Sequence, residues 1–219
     1  MINLLGGVPL YILEFGDELV YLTPYTITLF LLALTFTVLV LISRPEKQVD
    51  IAFGGDAYRT KEISVSEMRF RRFMAIACGL ATMGAMVTGD IFNFTLFTAM
   101  VGITNVGIVA AVKSPHVQDA AYQYGLVSLS ATIPLFGGAA VYAATTGSLS
   151  MIELMKGTLP AVPLIAKGML MLGVIGEGMA PFYAAKAEMF RAPGAPYVIM
   201  CSLSSLLIFL RVVEIVMLG

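Results

Sequence analysis

Long apolar runs alternate with short polar breaks along most of the chain. A transmembrane helix needs about 20 predominantly apolar residues. By that measure the pattern predicts six membrane-spanning helices, at residues 20–42, 73–89, 91–112, 121–144, 164–185 and 195–217. Proline and glycine mark most of the breaks, because both residues commonly end helices. The predicted fold class is therefore all-α, a polytopic membrane protein with about six transmembrane helices.

The composition agrees with a membrane protein. Of the 219 residues, 58% are hydrophobic and 12% are charged, whereas soluble domains carry about 25% charged residues. A soluble domain of this size could not bury so many apolar side chains in one core. The net charge of −1 argues against nucleic-acid binding, which needs a clustered basic surface. We expect residues 1–219 to form one membrane domain, embedded in the lipid bilayer of the cytoplasmic membrane.

Two segments interrupt the apolar pattern. Residues 1–19 contain acids and glycines but no basic residue, so they predict an interfacial or re-entrant segment instead of a signal peptide. Residues 43–72 hold seven of the 13 Lys and Arg residues and predict a charged loop. By the positive-inside rule this loop lies in the cytoplasm, which places both termini outside.

Few side chains of the chain could hold a cofactor. Cys78 and Cys201 lie inside apolar runs, and His116 is the only histidine. Free cysteine in such a run behaves as a small hydrophobic residue. Haem, iron–sulfur and zinc sites are therefore not expected. Neither a metal, nor a cofactor, nor a catalytic site for soluble substrates is expected in this chain.

One acid lies near the middle of the fifth predicted span. Glu177 is in the run 164–185, and charged groups inside a bilayer are functional candidates by default. Burial disfavours a charged carboxylate, so Glu177 is expected either to exchange protons or to stay neutral in a structural hydrogen bond. Lys167, ten residues earlier, is too far along the helix to pair with Glu177. It is expected to reach the outer interface or to line a water-filled half-channel.

Two further groups of polar residues are ion-path candidates with a structural alternative. Arg211 and Glu214 are spaced i, i+3 and predict an ion pair that faces another helix or subunit. Asp90 follows Gly89 at the start of a predicted helix, where aspartate caps free backbone N–H groups. Asn93 is the third residue of that helix and can join the cap.

Three stretches, in this order, resemble helices of the antiporter-like, proton-translocating subunits of respiratory complex I and Mrp antiporters. They are GDIFNFTLFTAMVGITNVGIVA, AAYQYGLVSLSATIPLFGGAAVYAATTGSLSMIEL and GEGMAPFYAAKAEMFRAPGAPYVIMCSLSSLLIFLRVVE. The resemblance implies that residues 73–217 form one five-helix antiporter-like repeat, a half-channel, preceded by one N-terminal helix. It also implies a set of scaffold residues, which are Asp90, Phe92, Asn93, Tyr124, Pro181, Phe182 and Pro193.

The departures from the family pattern concern the residues that move ions. Ala99 stands where the family helix carries its glutamate, and Gly176 stands in place of a lysine, with Glu177 beside it. The lysine of the last matched helix has no counterpart among residues 202–205, and Tyr183 replaces a histidine. The resemblance therefore implies the family scaffold and not its pumping residues.

Half-length members of this family resemble membrane subunits of the energy-converting nickel–iron hydrogenases of methanogenic archaea, in particular a membrane subunit of the A-type complex. The resemblance implies a non-catalytic subunit that lines or supports a proton or sodium path coupled to ferredoxin reduction elsewhere. It implies other membrane subunits as partners, one of which supplies the second half-channel. Two alternatives are a purely structural or assembly subunit and an independent secondary transporter.

Overall fold

The computed structural model describes residues 10–15, 18–46, 48–54, 57–157, 159–177 and 197–217. Two antiparallel hairpins and seven helices lie in this part of the chain. The strands are β1 Tyr11–Phe15, β2 Glu18–Leu22, β3 Gln48–Gly54 and β4 Ala57–Ile63. The helices are α1 Pro24–Ile42, α2 Val65–Val87, α3 Ile91–Ala110, α4 Pro115–Thr146, α5 Met151–Met155, α6 Leu164–Gly176 and α7 Tyr197–Met217.

The helices form a bundle in which α7 is central. This helix packs against α1, α2, α3 and α6, while α2 also packs on α3 and α4 packs on α6. Five of the described helices, α1 to α4 and α7, are long and apolar enough to cross a membrane. The all-α, polytopic fold class predicted from the sequence is confirmed.

The two hairpins mark opposite ends of the bundle. The β3–β4 hairpin lies between α1 and α2, and at this end Ser43 donates a hydrogen bond to the Tyr197 hydroxyl at 3.0 Å. At the other end Val20 of β2 pairs with Thr88, just after α2. We call these the β3 end and the β1 end. The assignment of the β3 end to the cytoplasm stays a prediction.

The segment 43–72 is only partly a loop, which corrects the predicted boundary. Strands β3 and β4 pair over residues 48–63, and α2 begins at Val65 instead of residue 73. Ser64 and Glu67 form a capping box, in which each side chain accepts a hydrogen bond from the other residue's backbone N–H. Arg71 is fully buried in α2 and donates a hydrogen bond to the Ile108 carbonyl at 2.8 Å. The charged segment therefore contains regular secondary structure.

Two other boundaries differ from those predicted. Helix α4 extends beyond residues 121–144 at both ends, because Ser114-Pro115 begins it and Gly147, with a φ of 73°, ends it. Helix α6 ends at Gly176 instead of continuing through residue 185. Residues 178–185 of that predicted span lie outside the described residues, as do residues 1–9 of the predicted interfacial segment.

Candidate functional site

The carboxyl group of Glu177 lies at the end of a helix inside the bundle. Helix α6 has 13 residues, so it is about 20 Å long and shorter than the roughly 30 Å of hydrocarbon in a bilayer. Glu177 follows the last helical residue, Gly176, and is 2% exposed. A Cβ on Gly176 would lie 2.6 Å from the Ala131 side chain. This close approach of α6 to α4 brings Glu177 beside the polar residues of α4.

Two hydroxyl groups of α4 bind the Glu177 carboxyl. The Ser128 hydroxyl lies 2.8 and 3.0 Å from the two carboxyl oxygens. The Tyr124 hydroxyl lies 3.3 Å from Oε2 and 3.1 Å from the Glu177 backbone carbonyl. On the other side, a Cβ on Gly102 of α3 would lie 2.7 and 2.8 Å from the carboxyl oxygens. The carboxyl group is thus enclosed between α3 and α4, at the end of α6.

The hydrogen bonds extend from this carboxyl to α2 and α7. The Asn105 amide donates to the Tyr124 hydroxyl at 3.4 Å, and the Cys78 thiol donates to Asn105 Oδ1 at 3.3 Å. On α7 the Ser205 hydroxyl donates to the Glu177 carbonyl at 3.3 Å. We call this connected set the Glu177 cluster, formed by Cys78, Asn105, Tyr124, Ser128, Glu177 and Ser205.

Sequence reasoning identified only part of this cluster. Glu177 was predicted as an ion-path residue, whereas Tyr124 was assigned to the scaffold and Ser128 was missed. A signal for the α4 pair does exist, because positions four residues apart lie on one face of a helix. Asn105 is an amide within an apolar run, where it needs a hydrogen-bonding partner. The order of residues along the chain does not show which side chains of five different helices come into contact.

A second polar site lies at the β1 end. Arg211 and Glu214 of α7 form the predicted ion pair, and both side chains are buried at 0% and 1% exposure. The Arg211 guanidinium also donates to the Thr88 carbonyl at 2.9 Å and contacts the Met151 sulfur at 3.5 Å. The prediction that the pair faces another helix is confirmed. The structure does not place this pair in the Glu177 cluster.

The remaining predicted site residues lie apart from Glu177. Asp90 begins α3, and its side chain accepts a hydrogen bond from the Asn93 backbone N–H at 2.9 Å. The predicted cap is therefore confirmed. Lys167 lies in the first turns of α6, toward the β1 end, and is partly exposed. Pro181, Phe182 and Pro193 lie outside the described residues. Among the residues that the structure does describe, no three metal-binding side chains lie close together.

The two roles considered for Asp90 can be separated by substitution. Asp90→Ala removes the cap and is expected to destabilise the protein by about 1 kcal/mol. Asp90→Asn removes only the charge, and asparagine caps as well as aspartate, so its stability should stay near that of the wild type. Thermal unfolding in detergent measures both variants. Equal destabilisation by the two changes would contradict a capping role.

Comparisons with known proteins fit this fold. A family described as NADH dehydrogenase I, subunit N related protein, matches residues 1–218. Uncharacterized protein MJ0522 of Methanocaldococcus jannaschii is 46% identical over 218 residues, which cover 99% of each chain. Uncharacterized protein MJ1309 of the same organism is 30% identical over 116 residues, which cover 51% of this chain and 24% of that protein.

A solved structure with a similar fold is respiratory complex I from Thermus thermophilus with bound aureothin. One of its chains aligns with a TM-score of 0.53 at 18% identity, over 85% of this chain and 47% of the complex I chain. The protein thus spans about half the length of that chain, and at this identity the likeness concerns the fold. The predicted resemblance to antiporter-like membrane subunits is confirmed. Because the family match extends over nearly all of its residues, the chain belongs to the NADH dehydrogenase I subunit N related family.

Proposed function

We propose that this protein is a membrane subunit of a complex I-like assembly and that it lines a proton or sodium translocation path. The observation that carries the proposal is the buried Glu177 carboxyl at a helix end inside the bundle, bound by Ser128 and Tyr124. Ionisable groups at such depth are costly to keep and mark ion paths. Helices that end within the membrane are also common at transporter ion sites, because their backbone groups face a cavity.

The partner in this proposal is a membrane subunit that supplies a second half-channel. Inverted repeats build ion sites at the interface between two halves, and this chain aligns with about half of the complex I chain. A lone five-helix repeat, as implied by the family resemblance, needs a second repeat from elsewhere. Residue 99 is alanine and residue 176 is glycine, so the ion-moving residues that these positions lack would also come from the partner.

We further propose that the assembly is an energy-converting hydrogenase. The family resemblance supports this choice. Electron transfer from hydrogen to ferredoxin would then occur on other subunits, which hold the nickel–iron and iron–sulfur centres. This chain would contribute the membrane path and no catalytic group of its own.

One specific observation favours a structural subunit as the second candidate. Ala99 and Gly176 occupy positions at which the resembled family carries a glutamate and a lysine. A repeat that has lost both groups could serve only to join neighbouring membrane subunits. In that case Glu177 would be a neutral acid whose hydrogen bonds hold α4 and α6 together.

Isolation of the affinity-tagged protein from its native membrane in mild detergent tests the assembly. We expect further membrane subunits and iron–sulfur proteins in the purified material, together with nickel and iron in amounts equimolar with the tagged chain or greater. Mass spectrometry and metal analysis measure both. Recovery of the chain alone, as a monomer or homodimer, would contradict the proposal and favour an independent transporter.

A further inference from the structure

The Arg211–Glu214 pair has features that a purely structural ion pair would not need. Glu214 Oε1 is buried and has no hydrogen-bonding partner among the described residues. Leaving a buried carboxylate oxygen unsatisfied is costly. Arg211, by contrast, also donates to the Thr88 carbonyl at 2.9 Å. Arg211 therefore keeps a contact beside the end of α2 whether or not Glu214 carries a charge, and Glu214 has an oxygen that can accept a proton.

Two helices contribute to both the Glu177 cluster and this pair. Helix α2 provides Cys78 to the cluster and ends beside Thr88, and α7 provides Ser205 and then Arg211. Along α7 the rise is about 9 Å from Ser205 to Arg211 and about 14 Å from Ser205 to Glu214, a separation that a short chain of water molecules and hydroxyl groups can bridge. The two sites are therefore near neighbours along α7.

Buried hydroxyl groups lie between the two sites in chain order. They are Thr82 on α2 and Thr95 and Thr98 on α3, all at 0% exposure. The Thr82 and Thr98 hydroxyls each donate to a carbonyl of their own helix at 2.8 Å, so each oxygen keeps lone pairs that can accept a hydrogen bond. Ser204 is two turns before Arg211 and lies on the same face of α7. The bundle interior between the sites thus contains hydroxyl groups that can donate and accept hydrogen bonds.

We propose that Glu214 is a second protonatable carboxyl of the same path, held by Arg211, and that protons pass between Glu177 and Glu214. This inference rests on the proposed function, because Glu177 is the other proton-binding group. In the transfer, the O–H bond of one protonated carboxyl breaks and an equivalent bond forms at the other carboxylate. Hydroxyl groups or water carry the proton, and no electron moves. Arg211 is a positioning residue that stabilises Glu214 in its charged form between transfers.

Other charged or titratable groups surround this end of the bundle and will influence its pH dependence. Tyr25 of α1 donates its hydroxyl to the Leu210 carbonyl at 2.9 Å, one turn from Glu214. Asp90 lies at the start of α3, Glu153 lies on α5, and Lys167 lies in the first turns of α6. The pH dependence of transport must therefore be compared between the wild type and each variant to show the contribution of Glu214.

The test uses the purified complex in sealed vesicles, in which proton uptake is followed with a pH-sensitive dye during electron transfer. Glu214→Gln is expected to abolish proton uptake while electron transfer continues, and Glu214→Asp is expected to restore part of it with an altered pH profile. Asp119→Asn, at an exposed position near the start of α4, is the matched control and should behave as wild type. A wild-type ratio of protons to electrons in Glu214→Gln would overturn the inference.

Two further comparisons keep the test decisive. If Glu177→Gln uncouples proton uptake from electron transfer and Glu214→Gln does not, only the role of Glu214 is wrong. If Glu177→Gln keeps the wild-type ratio of protons to electrons, the proposed function itself is wrong. Should Glu214→Gln not assemble, the wild-type complex is treated with dicyclohexylcarbodiimide, which modifies protonated carboxyl groups in apolar surroundings. Modification of Glu214 that increases as the pH falls supports the inference, and an unmodified Glu214 at every pH overturns it.

Discussion

Glu177→Gln is expected to abolish ion translocation by the assembled complex while leaving electron transfer in place. Glutamine has nearly the same size and can keep hydrogen bonds with Ser128 and Tyr124, whose hydroxyls lie within 3.3 Å of the carboxyl. It cannot release or take up a proton, nor provide a negative charge for sodium. The loss should therefore appear in ion flow, with little change in folding, since a neutral hydrogen bond contributes about 1 kcal/mol.

The measurement is the number of ions translocated per electron in sealed vesicles. Asp119→Asn removes an exposed carboxyl from the same chain and controls for the loss of one negative charge. The complex should form in normal amounts with either variant. A wild-type ratio of ions to electrons in Glu177→Gln would mean that Glu177 is only structural, as in the alternative of a purely structural subunit.

Gly173→Ala is expected to disrupt the packing of α6 on α4. A Cβ at this position would lie 2.6 Å from the Leu135 Cβ, 2.8 Å from its Cα and 2.9 Å from its backbone nitrogen. Because two of these atoms belong to the backbone, no side-chain rotation can relieve the contact and the helices must separate. Such overpacking costs about 1–3 kcal/mol. Separation would also move Glu177 away from α4, so ion flow should fall together with stability.

Gly168→Ala is the matched control for this prediction. It lies on the same helix, and a Cβ there would meet no atom within 4 Å. Because alanine favours the helix over glycine by about 1 kcal/mol, this variant should be as stable as the wild type or more so. Thermal unfolding in detergent measures both changes. Equal stability of the two alanine variants would contradict close packing of α4 on α6.

The membrane spans could be predicted because lipid imposes a simple rule on the chain. Backbone polar groups must be satisfied within each segment, so spanning helices appear as long apolar runs. This rule gave α1, α3 and α7 to within a few residues. The rule did not predict the end of α6, because an apolar run can continue past the end of its helix. Gly176 permits close contact with α4, and the helix ends at this residue.

The charge of residues 43–72 predicts a loop, but the segment also contains two local signals of regular structure. They are the alternation of Val49, Ile51 and Phe53 before a glycine pair, and the Ser64–Glu67 capping box. The first signal is typical of a strand followed by a turn, and the second of a helix start. Both signals are local, so the β3–β4 hairpin and the beginning of α2 were within reach of sequence reasoning.

The candidate site could be predicted only in part. Glu177 and the Arg211–Glu214 pair are conspicuous because charge is rare in an apolar run. Ser128, Asn105 and Cys78 are not conspicuous, since serine, asparagine and cysteine occur at many membrane positions without a special role. Their importance comes from the meeting of α2, α3 and α4 around one carboxyl. That meeting depends on packing between helices that are distant in the chain.

The most direct test of the central claim follows the protonation of Glu177 itself. Infrared difference spectra of the complex, recorded between resting and reduced states in H₂O and D₂O, detect the C=O stretch of a protonated carboxylic acid. We predict a deuterium-sensitive carboxyl band that changes on reduction and is absent from Glu177→Gln. A spectrum of Glu177→Gln identical to that of the wild type would contradict the claim that Glu177 exchanges a proton during turnover.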